Sequence, residues 1–284
     1  MEIILVDANA LIHRLYHALP PLTDSSGRPA GATYGLASIL LKIIRERGPQ
    51  FIAAFFDRPE PTFRKEMFEE YKIHRPKAPD ALVAQIIQAR ELFEQFRIKT
   101  FEVPGFEADD LIGTCVEKLD HSKGVKIIIL TGDLDILQLV RGDEVIVETI
   151  KKGVSETMIY NEEAVKNRYG VLPKELPDYK GLVGDPSDNI PGVPGIGPKT
   201  ASSIIQKYGN IECFLEEGQG EKSYQKISSF KKQAILSRKL AIIRRDAPLP
   251  ALSIEFLKYE GLPKEKLAVY FDKLGFKSLT KRIE

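Results

Sequence analysis

Four short apolar runs in the first half of the chain each lead into carboxylates. Glu2–Val6 is followed by Asp7, and Phe51–Phe56 by Asp57. Lys99–Val103 is followed by Glu107, Asp109 and Asp110, and Val125–Leu130 by Asp133 and Asp135. The runs are short and rich in Ile, Val and Phe, and read as buried strands. Between them, Thr33–Arg47, Ala81–Phe96 and Ala108–Leu119 carry apolar residues at helical spacing. Such alternation predicts βαβ units, hence an α/β fold with a mostly parallel sheet flanked by helices. A fifth strand is expected at Glu144–Thr149, after a helical turn at Ile136–Val140.

In an open parallel sheet, ligands bind at the carboxyl ends of the strands. These acidic groups, distant in sequence, should therefore meet there. So many carboxylates cannot all stay ionised together unless cations neutralise them. A site of oxygen ligands without Cys or His selects hard ions such as Mg²⁺ or Mn²⁺. A single Asp after a strand is ordinarily a turn former or a helix cap, and Asp110 is placed to cap a helix beginning near Leu111. The repetition over successive strand ends is what argues for a site.

Two other stretches stand apart. Arg58–Asp80 holds Pro59, Pro61, Pro76 and Pro79 with charges of both signs, and is too long for an ordinary connection. After about Asn161 strand signals fade and helical stretches dominate, with a domain boundary expected near residue 170. A glycine hairpin interrupts them: Gly192-Val193-Pro194-Gly195-Ile196-Gly197, then Pro198-Lys199-Thr200-Ala201. Closely spaced glycines let a backbone approach a phosphate, and a helix beginning near Lys199 offers it free N–H groups. This is the layout of a helix-hairpin-helix that grips a nucleic-acid backbone without reading sequence.

Charge is segregated in the same sense. Residues 102–144 hold ten acidic and four basic residues, a balance of −6, whereas 199–245 hold ten basic and four acidic, a balance of +6. The first region needs cations and the second suits a polyanion, unless both are solvated helix faces. Cys115 and Cys213 have no partner spacing and read as reduced thiols. No run approaches the ~18 apolar residues of a membrane span, and the first strand is too short for a signal peptide. The expectation is a cytosolic protein without membrane contact.

These residues together resemble the 5′-nuclease (flap endonuclease) family, in particular its bacterial branch that includes the 5′–3′ exonuclease domain of DNA polymerase I. The resemblance rests on Val6-Asp7-Ala8-Asn9, Phe56-Asp57, Phe63-Arg64 with Tyr71-Lys72-Ile73-His74-Arg75, Glu107-Ala108-Asp109-Asp110, Thr131-Gly132-Asp133-Leu134-Asp135 and Gly184-Asp185-Pro186-Ser187-Asp188-Asn189-Ile190-Pro191-Gly192. It implies a PIN-like nuclease core at 1–170 with a helical arch at about 58–80, and a helical DNA-binding domain at 171–284. It implies one metal position held mainly by Asp7, Asp57, Glu107 and Asp109, and another held mainly by Asp110, Asp133, Asp135, Asp185 and Asp188. Lys72 and Arg75 would contact the scissile phosphate, Tyr71 would stack on a terminal base, and Arg14 and Arg64 would touch further phosphates. In the hairpin, Gly192, Val193, Gly195, Ile196, Gly197, Lys199 and Thr200 would face DNA, with a K⁺ held by backbone carbonyls.

The implied activity is cleavage of DNA at 5′ flaps, nicks or single-stranded 5′ ends by a monomer, in replication and repair, alone or joined to a DNA polymerase. A PIN-type ribonuclease would share the acidic core but lack the arch motif and hairpin. A non-catalytic structure-specific DNA-binding protein would have lost several of the nine carboxylates present here. An Asp-nucleophile phosphatase needs a second Asp where Asn9 stands.

Overall fold

A computed structural model describes residues 1–119, 124–152, 156–249 and 254–283, and for 151 and 152 the backbone alone. Asp120 and Lys123 of the acidic stretch, and Glu284 at the end of the expected second domain, lie outside the described residues. The strands are β1 (Glu2–Asp7), β2 (Phe51–Phe55), β3 (Lys99–Phe101), β4 (Lys126–Thr131), β5 (Val145–Lys152) and β6 (Glu156–Tyr160). They form one six-stranded sheet in the order β3-β2-β1-β4-β5-β6. The first five are parallel, and β6 runs antiparallel on β5.

The strand order reverses between β1 and β4, whose register pairs Val6 with Leu130. A crevice opens at such a switch point, because the connections leave on opposite faces of the sheet. Both faces of β1, β2 and β4 are covered, which explains why these strands are apolar along nearly their whole length. Ile3, Leu5, Ala53 and Phe55 pack under the helix Ala108–Lys118 and against the second half of the chain. Ile4, Val6, Ala54 and Phe56 pack under the helices Ala8–Ala18, Gly31–Arg47 and Asp80–Gln95.

Three features depart from the sequence expectations. The helix Ala8–Ala18, absent from the periodicity reading, starts directly on Asp7, whose side chain caps it by accepting the Ala10 amide. The edge strand β6 pairs out of a segment that alternates little. The third concerns the end of the expected helical domain 171–284, whose last helices pack back on the first domain. The short helix Ile254–Leu257 sets Phe256 against Phe101 of β3, and helices Lys264–Leu274 and Lys277–Ile283 bury Leu267, Phe271, Leu279 and Ile283 among the core residues of the first domain. Their apolar stripes fit the open side of the sheet layer, so the chain returns there.

The segment Arg58–Asp80 also takes an unexpected form. It is no continuous helical arch: one short helix, Phe63–Met67, is followed by turns. Its prolines withhold backbone donors and disfavour helical φ/ψ before them. Its middle is packed, with Tyr71 in a small cluster beside Ile190, Leu240 and Ala241.

Candidate active site

Asp7 stands at the end of β1 and serves two purposes. Its Oδ1 caps the helix that follows, and its Oδ2 accepts the Thr131 hydroxyl at 2.7 Å from the end of β4. Thr131 in turn accepts the Asp133 amide at 2.9 Å, so the two strand ends are tied across the switch point. The close approach requires a glycine, since a Cβ at Gly132 would lie 2.5 Å from the Ala10 carbonyl oxygen. Asp57 follows β2; its Oδ1 accepts the Ala108 amide at 2.7 Å, and its own amide donates to Asn9. Glu107 is the N-cap residue of the helix Ala108–Lys118, and Asp110, suggested as the cap from the sequence, accepts the Glu107 amide at 3.1 Å from the first turn.

Electrostatics join these groups into one cluster. Burial and the neighbouring charge of Asp57 push the Asp7 carboxyl up to about 7. Burial and Glu107 likewise raise Asp57. Asp109 is raised further, by burial and then by Asp110, and its Oδ1 is a buried oxygen without a hydrogen-bond partner. Burial pushes Asp135 up to about 6, with Asp133 adding to the rise and Lys180 opposing it. Carboxylates that resist ionisation together are relieved by a cation among them.

Among the described residues no three carboxylates stand ready-made as a cation cage. Basic side chains stand between them instead. Lys72 donates to Glu107 at 2.9 Å and Arg75 to Asp188 at 2.5 Å. Lys180 donates to both Asp135 and Asp185, the latter at 2.7 Å. Burial opposes ionisation of Glu107, but Lys72 and Arg64 outweigh it and hold the carboxyl low; Lys180 does the same for Asp185. Lys180 was missed in the sequence because it sits alone in the helix Leu176–Val183, outside every motif. Its position five residues before Asp185 was the available signal. Asn9 and Thr131 were seen only as motif letters, yet they organise the strand ends.

Several expected site residues make contacts of another kind. Asp110 is wholly buried, with one oxygen on Arg64 Nη1 at 2.7 Å and the other on Nη2 at 2.8 Å, and it also accepts the amides of Glu107 and Arg244. Arg64 completes its donors on the carbonyls of Leu240 and Ile242. In this arrangement every bonding direction of Asp110 is committed to protein donors, and Arg64 is buried against it. Tyr71 is buried, its hydroxyl on Asp188 at 3.1 Å, so its ring offers no open face to a base. In the hairpin, Gly192, Val193 and Ile196 face inward. A Cβ at Gly192 would lie 2.3 Å from the Gly184 nitrogen, and Val193 and Ile196 belong to the core. Gly195, Gly197, Lys199 and Thr200 remain exposed at the start of the helix Pro198–Tyr208. Arg14 is exposed on the first helix, beside Gly132. The basic stretch is partly neutralised, as Lys207, Arg238, Arg244 and Arg245 pair with Glu221, Asp178, Asp246 and Glu117.

Fold and site define a class: a PIN-like parallel-sheet protein with an acidic switch-point site beside a helical hairpin domain. The chain belongs to the 5′–3′ exonuclease family, with residues 2–170 matching that family's N-terminal resolvase-like domain and 171–265 its C-terminal SAM fold. It is 39% identical over 286 residues to the DNA polymerase I of Bacillus caldotenax, a match that takes in all of this chain and 32% of that protein. The chain thus spans about a third of the length of the polymerases it matches. It is 37% identical to a 5′–3′ exonuclease of Aquifex aeolicus, over 99% of this chain and 94% of that one. Its fold is shared with a zinc-bound T5 5′-exonuclease (TM-score 0.69, 20% identity, all of both chains) and with the catalytic core of Rad2 in complex with DNA substrate (TM-score 0.59, 14% identity, 99% and 92% covered). No helix among the described residues is long and apolar enough to cross a membrane.

Proposed function

We propose that this chain is a structure-specific 5′ nuclease that hydrolyses DNA phosphodiesters, as 5′–3′ exonuclease and flap endonuclease. The observation that carries the reading is the acidic cluster at the β1/β4 switch point, in which buried carboxylates are held by Lys72, Arg75 and Lys180. The donor set fits Mg²⁺ or Mn²⁺: it is all oxygen, it is crowded by like charge, and Asp109 Oδ1 has no other partner. Asp7, Asp57, Glu107 and Asp109 would hold one ion, and Asp133, Asp135, Asp185 and Asp188 another. Bound there, the ions supply an activated water and stabilise the leaving oxygen. Lys72 and Arg75, released from Glu107 and Asp188 once cations take those carboxylates, would face the phosphate as its charge grows.

The exposed turn of Gly195, Gly197, Lys199 and Thr200 would hold the duplex backbone, with a K⁺ at the hairpin, and Arg14 would meet phosphate on the first helix. A monomer acting on flaps, nicks or single-stranded 5′ ends fits this reading, as does work beside or within a DNA polymerase. The test is cleavage of end-labelled flap, nicked and single-stranded DNA in Mg²⁺, Mn²⁺ and EDTA. Metal-dependent release of short 5′ products is expected. Binding without cleavage in either metal would turn the reading to a non-catalytic DNA-binding protein, and a preference for RNA without 5′ structure to a ribonuclease.

A further inference from the structure

We infer that Asn189 is a positioning residue that holds the Lys72–Arg75 turn in place from the opposite domain. The inference rests on the nuclease reading for what Lys72 and Arg75 do, but not for the contact itself. Among the described residues, only Lys72, Arg97 and Asn189 adopt left-handed backbone without being glycine. Lys72 and Asn189 sit at the same junction, with φ of 56° each. A β-carbon is disfavoured there, and Asn tolerates it better than most because its short amide can bond locally.

Here the amide bonds across the junction. Asn189 Nδ2 donates to the Glu70 carbonyl at 2.8 Å, the same carbonyl that accepts the Ile73 amide at 3.0 Å. The Glu70–Ile73 turn contains Lys72, whose own amide donates to the Asp188 carbonyl at 2.9 Å. Asn189 is held in turn by the tight loop around it, in which Asp185 and Ile190 exchange backbone bonds at 2.8 Å each way. Beneath the junction Ile190 packs with Tyr71, Leu240 and Ala241. The left-handed twist at Lys72 directs its side chain to Glu107, and the twist at Asn189 directs its amide to the turn. Among the described residues, Asn189 makes no hydrogen bond to a candidate metal ligand's side chain. Its side-chain amide meets the Lys72–Arg75 turn only at the Glu70 carbonyl.

Asn189→Gly keeps the left-handed backbone and deletes the amide, whereas Asn189→Asp replaces the donor with an acceptor facing the Glu70 carbonyl. Both are compared with wild type in the full chain, by hydrogen exchange at residues 70–75 and by single-turnover cleavage and equilibrium binding of a 5′-flap DNA. Exchange at Lys72 and Ile73 is expected to speed up in both variants. The cleavage rate is expected to fall about 100-fold, the scale of an ångström misplacement, with DNA affinity changed by less than about threefold. Unchanged exchange at 70–75 in both variants, or an equal loss of rate and affinity, overturns the inference. Should wild type itself fail to cleave, the nuclease reading falls, while the exchange comparison still decides whether Asn189 holds the turn.

Discussion

Two ion pairs lie within a few residues of each other in sequence and do different work. Arg64–Asp110 is closed: the side chains are 2% and 0% exposed and meet through two parallel hydrogen bonds. Lys72–Glu107 is half open, at 26% and 13%, and rests on one short contact. The closed pair welds the helix Ala108–Lys118 to the Leu240–Arg244 strand of chain and leaves no bonding direction for a ligand. The open pair keeps a mobile point charge beside a carboxylate that a cation can claim. The planar fork of Arg64 closes the first pair on both oxygens of Asp110, whereas the single ammonium of Lys72 and the greater access of water leave the second open.

The sharpest way to break this comparison is to remove Arg64. Arg64→Ala strands a buried carboxylate and should destabilise the protein by about 3–5 kcal/mol in urea denaturation. A change below ~1 kcal/mol would place the pair with ordinary surface salt bridges.

Removing charge from the open side should do the reverse. The Asp7 carboxyl, pushed up to about 7, lies above its unfolded value near 4, so its penalty is absent below about pH 4 and complete above about pH 7. Asp135, pushed up to about 6, acts in the same direction. Stability in EDTA should therefore fall from pH 5 to pH 8, and Asp7→Asn should lessen that fall, by at most ~3 kcal/mol, while abolishing metal-dependent cleavage. A metal-free stability that rises over this range, or full activity of Asp7→Asn in Mg²⁺, would contradict the assignment.

Lys72→Ala tests the open pair directly. Single-turnover cleavage should fall about 100- to 1000-fold, the effect of losing one transition-state donor, with little loss of flap binding. Denaturation should register at most ~1 kcal/mol, against the larger loss in Arg64→Ala. Equal stability losses would erase the distinction between the two pairs.

The smallest effect concerns the hairpin. Lys199→Ala should flatten the dependence of log affinity on log salt by about one unit, equally for unrelated duplex sequences. Val193→Ala, by contrast, should act through stability, because that side chain lies in the core. An unchanged slope in Lys199→Ala would take this turn off the DNA surface.

Strand composition alone determined the parallel sheet and which carboxylates lie at its ends, because burial on both faces and βαβ connection leave few alternatives. Hydrophobic runs and terminal acids are local properties, so Asp7, Asp57, Glu107 and Asp133 could be read directly. Only the tertiary structure decided how those acids are shared. Asp109 and Asp110 are adjacent in sequence, yet successive helix positions point about 100° apart. One therefore enters the site with an unpartnered oxygen, and the other meets Arg64 beneath it. Gly192 shows the same limit, since a glycine needed for phosphate approach and one needed for the close passage of Gly184 read alike. Lys180 joined the site through a helix with no acidic strand end of its own, and the last helices crossed back to the first domain. Contacts between elements far apart in sequence depend on where packing brings their faces together, and no local pattern encodes that.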